Sequence, residues 1–325
     1  MSFVLNRRTA LLAGAGGALA LGAPALAQSR QRLTIATGGT GGGFFVYGGG
    51  LARVWSEKLA NTHATAQVTG GSVDNVNLVA AGDADVGFST LDSVDDALKG
   101  VGAYAQGGKR DVRVLAVLYD SFFHVVASVA SGVNTVADMK GKRIGVGSTG
   151  SSTEGMADRV LTAGGLNPKT DITRDNLGVA ESANALSDGK IAAFFWIGGV
   201  PTAAVRDLAQ GGRTPMKFVD TSKELTVLEG RYPGLYRPFT LPANAYGGQT
   251  TAVPGLGVAN VLVVSASAPE KLVTAMLEGT FNNLAEVQQI HPEARRLTVA
   301  GAAAKTAIPF HPAAAAFYKA KGIAM

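Results

Sequence analysis

Apolar positions early in the chain follow two different periods. Leu33 and Ile35 stand two apart, as on one face of a strand. Beyond a run of glycines, Phe44, Tyr47, Leu51, Val54 with Trp55, and Leu59 recur every three or four residues, as on one face of a helix. The period changes across residues 38–43, Gly38-Gly39-Thr40-Gly41-Gly42-Gly43. This strand, glycine loop and helix unit is then repeated. Residues 64–68 read as a short strand before Thr69-Gly70-Gly71-Ser72 and a helix striped by Val73, Val76 and Val79 with Ala80. Residues 86–89 read as a strand before Thr90-Leu91-Asp92 and a third helix. Ser72 is expected to cap the second helix, and Asp92 or Ser93 the third. Three such units predict a parallel sheet whose loops share the edge beyond the strand C-termini, where open α/β sheets hold ligands.

The rest of the chain adds a second set. Residues 112–119 and 124–128 read as β-rich runs, separated by Asp120-Ser121-Phe122-Phe123, that cross from one lobe to another. A strand over residues 143–147 enters Ser148-Thr149-Gly150-Ser151-Ser152-Thr153, and a helix through Met156, Val160 and Leu161 stops at Gly164-Gly165. Ser151 and Glu154 have capping-box spacing, which gives Glu154 a structural duty. Residues 181–187 read as a helix, 191–197 as a buried strand, and Pro201 as an early residue of the following helix. Residues 231–255, rich in Pro, Gly and Tyr, read as an irregular crossing back. A strand over 258–264, a long helix through Leu272, Met276, Phe281 and Leu284, and a short helix over 313–319 complete the pattern.

Glycines and hydroxyls before helix starts are the chemistry this pattern offers. The first N–H groups of a helix lack internal partners, and the macrodipole makes that end attract anions. Glycines let a ligand approach the backbone closely and permit positive φ. The first loop lacks the third glycine of G-x-G-x-x-G, and no G-x-x-x-x-G-K-[ST] is present, which argues against a nucleotide.

Composition narrows the class. Arg7-Arg8, an apolar run over residues 9–21 and Ala25-Leu26-Ala27 predict a signal peptide over residues 1–27, of twin-arginine type, and a periplasmic location. Its removal takes two positive charges from a net +5, and no Lys/Arg cluster remains, so no nucleic-acid partner is expected. There is no cysteine, and the four histidines lack metal-ligand spacing, so no metal, cofactor or catalytic residue is assigned. No G-x-S-x-G, H-x-E or H-E-x-x-H pattern supports an enzyme. The expected architecture is α/β: a two-lobed periplasmic binding protein of type II kind, each lobe a mainly parallel sheet flanked by helices, with the ligand cleft between lobes. Residues 28–121 with 250–325 are expected to form lobe 1, and 122–249 lobe 2. A ligand-sensing receptor domain shares that architecture and is the competing reading, with a secreted enzyme behind it.

The segments ATGGTGGGFFVYGGGLA, TGGSVDNVNLVAAGDADVGF, LYDSFFHVV, MKGKRIGVGSTGSST and GKIAAFFWIGGVP resemble the TAXI family of TRAP-transporter solute receptors, over about Leu33 to Tyr318. The resemblance implies a monomeric receptor that hands a small carboxylate, a glutamate-like amino acid or a dicarboxylate such as 2-oxoglutarate, to a membrane TRAP permease. The family's G-T-G-G matches Gly39-Thr40-Gly41-Gly42, its T-G-G-S-V-x-N matches residues 69–75, and its G-x-x-G-S-x-T matches residues 147–153. Phe44-Phe45-Val46 replaces the usual two tyrosines and proline, and Thr90 stands where the family commonly has a glutamine. The ligand contacts expected are Gly39, Thr40, Gly41, Gly42, Tyr47, Ser72, Asn75, Thr90, Asp92, Ser148, Thr149, Ser151, Ser152, Thr153 and Phe195. Asp92 is the expected partner for an ammonium group.

Overall fold

The computed structural model describes residues 30–211 and 213–325, so the predicted signal peptide lies outside the described residues. The three N-terminal units are β1 (Gln31–Ala36) with α1 (Gly43–Lys58), β2 (Thr62–Gln67) with α2 (Ser72–Ala81), and β3 (Val86–Thr90) with α3 (Leu91–Lys99). Next come β4 (Val112–Ser128), β5 (Arg143–Gly145), α4 (Ser152–Ala163), β6 (Thr173–Asp175), α5 (Val179–Ser187), β7 (Ala193–Gly198), α6 (Ala203–Gln210), β8 (Met216–Phe218) and α7 (Ser222–Arg231). The chain closes with β9 (Tyr236–Leu241), β10 (Val253–Ser265), α8 (Glu270–Phe281), α9 (Leu284–Val287), α10 (Val299–Ala302) and α11 (Pro312–Ala320).

Strand order is β2-β1-β3-β10-β4-β7-β5-β6, with β8 added to β4 and β9 to β10. β2, β1 and β3 run parallel in the first lobe, as do β6, β5 and β7 in the second. Parallel pairing puts the loops that follow each trio at one end, facing the other lobe. In α1 the buried positions Tyr47, Leu51, Val54 and Trp55 form the predicted stripe, and Trp55 Nε1 donates to Thr280 Oγ1 at 3.0 Å. Every residue of β3 is buried, as expected of a strand covered on both faces.

β4 and β10 run through both lobes. In the first lobe Val261–Ser265 of β10 lie antiparallel to Val117–Val112 of β4. In the second, Phe122–Ala127 of β4 pair with β7, and Val253–Val258 of β10 pair with β9. The β4–β10 register slips between Ala259 and Val261. At the slip, Asn260 Nδ2 donates to Tyr119 O (3.0 Å) and Ser121 Oγ (2.7 Å), occupying groups the ladder leaves free.

Several local expectations are corrected here. The two β-rich runs around residues 120–123 are one strand, because Asp120 and Ser121 stay in the ladder opposite Ala259 and Val258. Residues 231–255 are not irregular throughout: they contain β9, whose Pro238 is tolerated on a strand paired only with β10. Ser72 is inside α2, and Gly71 (φ 129°) is its N-cap; α3 is capped by Thr90, not by Asp92 or Ser93. Only half of the capping box forms. Ser151 Oγ accepts from Glu154 N, while the Glu154 carboxylate accepts from Asn176 Nδ2 (2.7 Å) and Arg174. Pro201 follows a cis peptide bond and precedes α6, and Leu284 opens α9 after α8 has ended.

Three consecutive glycines sit in α1, where each costs about 1 kcal/mol relative to alanine. A Cβ on Gly50 would stand 2.0 Å from Ile290 Cγ2, and one on Gly48 2.4 Å from Thr37 Cγ2, whereas Gly49 is exposed with nothing within 4 Å. Gly49→Ala is therefore expected to raise stability by about 0.5–1 kcal/mol, and Gly50→Ala to lower it. Urea-denaturation midpoints of the two variants check this. Among the described residues no helix is long and apolar enough to cross a membrane.

Candidate functional site

Between the lobes lies a cavity of about 290 Å³, and helix starts surround it. Residues 38–44 bring the start of α1, Gly70-Gly71-Ser72 that of α2, and Thr90 that of α3. From the second lobe come Ser148 and residues 151–153 at α4, and residues 178–181 at α5. Tyr119 and Ser121 enter from β4, and Trp196, Ile197 and Gly198 from β7. No Lys, Arg or His is among these lining residues, and Glu181 is their one carboxylate. Thr90 is fully buried, and its Oγ1 has no protein partner among the described residues. A buried hydroxyl left unsatisfied costs free energy, so its place in the cavity wall marks it for a ligand.

The lobes touch one another through bare backbone as well as side chains. The Val73 and Asp74 N–H groups of α2 donate to Gly150 O, and Ser148 Oγ donates to Gly70 O at 3.0 Å. Ser72 Oγ accepts from Thr90 N and donates to Ser152 Oγ. A Cβ on Gly70 would sit 2.3 Å from Thr149 O, and one on Gly42 3.2 Å from Trp196. A Cβ on Gly41 would stand 3.4 Å from Ala180 Cβ and 3.5 Å from Val179 Cγ1. None of the glycines in residues 38–43 has positive φ, so close approach between lobes, not left-handed backbone, is what they supply.

Gly39, Thr40, Gly41, Gly42, Ser72, Thr90, Ser148, Ser151, Ser152 and Thr153 all line the cavity. Most of the expected side-chain donors are already engaged. Ser151 Oγ donates to Ser148 O (2.6 Å), and Thr153 Oγ1 accepts from Ile197 N. Five expected contacts lie elsewhere. Tyr47 is buried in the lobe 1 core, its ring against Phe88 and Tyr119. Asn75 is a brace, donating to Thr37 O (2.5 Å) and Phe88 O (2.7 Å). Thr149 is exposed on the far side of its loop, in a neighbouring depression. Phe195 stacks on Phe123 in the core, because strand alternation turns Trp196 to the cavity instead.

Asp92 is also turned away from the cavity. Its Oδ2 accepts from Tyr236 OH at 2.8 Å and stands 3.5 Å from Arg159, so it is not free to receive an ammonium. Arg159, on α4, makes a two-pronged pair with Asp96 on α3 (2.6 and 2.5 Å) and lies over the Tyr232 ring. This largely buried cluster joins the two lobes beside the cavity. Burial pushes the Asp96 carboxyl above the ordinary range, against the pull of Arg159. On another side, Glu293 Oε1 accepts from Val200 N at 3.2 Å. Trp196 is held by His124 and Thr202. His124 Nδ1 donates to Phe122 O and Trp196 O, its Nε2 accepts from Tyr246 OH, and burial lowers its pKa to about 4, so the ring is neutral.

The start of α5 and Trp196 were not anticipated as site elements. The N-cap of α5 is Gly178, which makes no side-chain bond, so no capping side chain marked that helix start. Two α/β lobes, two strands running through both and a cavity where the helix starts converge define the fold of two-lobed substrate-binding proteins. The chain belongs to the NMT1-like family, whose model matches residues 35–322. It is similar to a structure described as a periplasmic transporter: identity 12%, TM-score 0.55, covering 90% of this chain and 93% of that one. A Bordetella bronchiseptica RB50 protein is similar at 19% identity and TM-score 0.52, over 82% of this chain and 77% of the other. A putative L-cystine ABC transporter from Listeria monocytogenes follows at 13% and 0.50, over 80% and 94%. At these identities the likeness is one of fold.

Proposed function

We propose that this chain is a periplasmic solute-binding protein that captures a small carboxylate by hinge closure and delivers it to a TRAP-type membrane permease. One observation carries the reading: Thr90, whose buried hydroxyl has no protein partner among the described residues, lies among converging helix starts in the wall of a cavity closed by contacts between lobes. Such donors hold an anion without a cationic side chain. We place the hinge where β4 and β10 pass from lobe to lobe, near residues 119–121 and 259–260; Val253–Val258 of β10 then go with residues 122–249, not with residues 28–121 as expected. Delivery to a TRAP-type permease rests on the resemblance of the loop motifs to the TAXI family. A carrier fits better than a catalyst, since apart from Glu181 and Tyr119 the lining offers no titratable group.

Thr90→Val tests this reading. The swap removes only the hydroxyl, so the ligand-free protein should melt as before or slightly higher. The carboxylate that most raises the melting temperature of the parent should bind about 10- to 150-fold more weakly, the worth of one hydrogen bond to a charged group. Calorimetric titration reads the change, and equal affinity would remove Thr90 from the site.

A further inference from the structure

We infer that the solute carries a single negative charge on an otherwise uncharged, largely apolar body, so that it is neither a dicarboxylate nor an α-amino acid. This rests on the carboxylate reading above and narrows it. The first ground is the charge the site can neutralise. A helix start is equivalent to about half a positive charge. Of the five at the cavity, three are already spent within the protein. The first N–H groups of α2 are taken by Gly150 O from the opposite lobe. That of α4 is capped by Ser151. That of α5 has its own carboxylate, for a Cβ on Gly178 would stand 2.5 Å from Glu181 Oε2.

The starts of α1 and α3 remain. Gly42 caps α1 with no side-chain bond and no acid in the first turn; the first-turn acid of α3, Asp92, accepts from Ser93 N but has its charge met by Arg159, and Thr90 at that start keeps an unpartnered Oγ1. Two half-charges match one carboxylate. No cationic side chain lines the cavity to take a second. His291, behind Gly43, accepts from Glu293 N at Nδ1, and loss of water lowers its pKa, which keeps it neutral. Enclosing an unneutralised charge is strongly unfavourable.

The second ground is the remaining wall. Phe44, Val68, Val179, Ala180, Trp196 and Ile197 supply apolar surface from both lobes. An ammonium would need a free carboxylate beside it; Asp92 is committed to Tyr236 and Arg159, and Glu181, the one carboxylate of the wall, lies against Gly178 at the positive start of α5. A branched or aromatic monocarboxylate satisfies both the single charge and this surface.

Calorimetric titration of the unfolded and refolded protein with 4-methyl-2-oxopentanoate, phenylacetate, 2-oxoglutarate and L-glutamate tests the inference. The expected result is that at least one of the two monocarboxylates binds at least tenfold more tightly than 2-oxoglutarate or L-glutamate. If either of the latter binds at least as tightly as both monocarboxylates, the single-charge inference is overturned while the carboxylate reading stands. If none of the four binds and a neutral sugar does, both are overturned.

Discussion

Arg159→Met should weaken solute binding by about 100- to several-thousand-fold while leaving the ligand-free lobes folded. Arg159 stands on α4 of one lobe and neutralises Asp96 and Asp92 on α3 of the other. Breaking a buried pair by removing one partner costs about 3–5 kcal/mol, because the remaining charge stays enclosed. With the lobes apart those carboxylates can return to water, so the cost falls on closure, not on folding. The variant should also gain a pH dependence. Burial already raises the Asp96 pKa, and without the guanidinium nothing offsets that shift. Closure then takes up a proton, so affinity should recover as pH falls from about 7 toward about 5. Asp96→Asn in the Arg159→Met background should restore part of the loss at neutral pH, and a double-mutant cycle by calorimetry measures the coupling. Additive losses would mean the pair does not bridge the lobes in solution.

The second large effect is expected at Gly70. Its added Cβ would meet Thr149 O at 2.3 Å and Asp74 Oδ2 at 2.5 Å. The Asp74 side chain can swing aside, but the Thr149 carbonyl is backbone of the opposite lobe and yields only if the lobes part. Gly70→Ala should thus hold the cleft open and cut affinity by at least about 100-fold, more than 2.7 kcal/mol. Melting of the ligand-free protein should change little. Gly49→Ala is the control on α1, outside the cavity lining, where nothing stands within 4 Å of the new carbon. It should bind as the parent does. Titration of both variants separates a clasp between lobes from a general intolerance of side chains.

Period alone made the β1–α1, β2–α2 and β3–α3 units legible, because each of the three helices buries one continuous stripe. It also placed their loops at one end of the sheet. What it could not supply was which face a side chain takes once both faces of a strand are apolar. Phe194, Phe195 and Trp196 are such a run: Trp196 lies in the cavity wall, while Phe195, on the other face, packs on Phe123 in the core. Asp92 misled for a different reason. Its partners, Arg159 and Tyr236, lie on remote elements, and no local spacing announces a cross-lobe pair. The hydroxyls of residues 148–153 looked like free donors, yet most fasten one loop to another, and among the cavity-lining residues described it is Thr90 whose buried hydroxyl is left over. The glycines were legible as close-approach positions, but what they approach is the opposite lobe as much as a ligand.

Closure of the two lobes on a carboxylate is best tested by small-angle scattering. The protein is first unfolded and refolded to strip bound solute. Scattering is then recorded with and without a pool of 4-methyl-2-oxopentanoate, phenylacetate, 2-oxoglutarate and L-glutamate, for the parent and for Gly70→Ala. The radius of gyration should fall on addition of the pool to the parent and stay constant in the variant. Unchanged dimensions of the parent would contradict closure on a carboxylate.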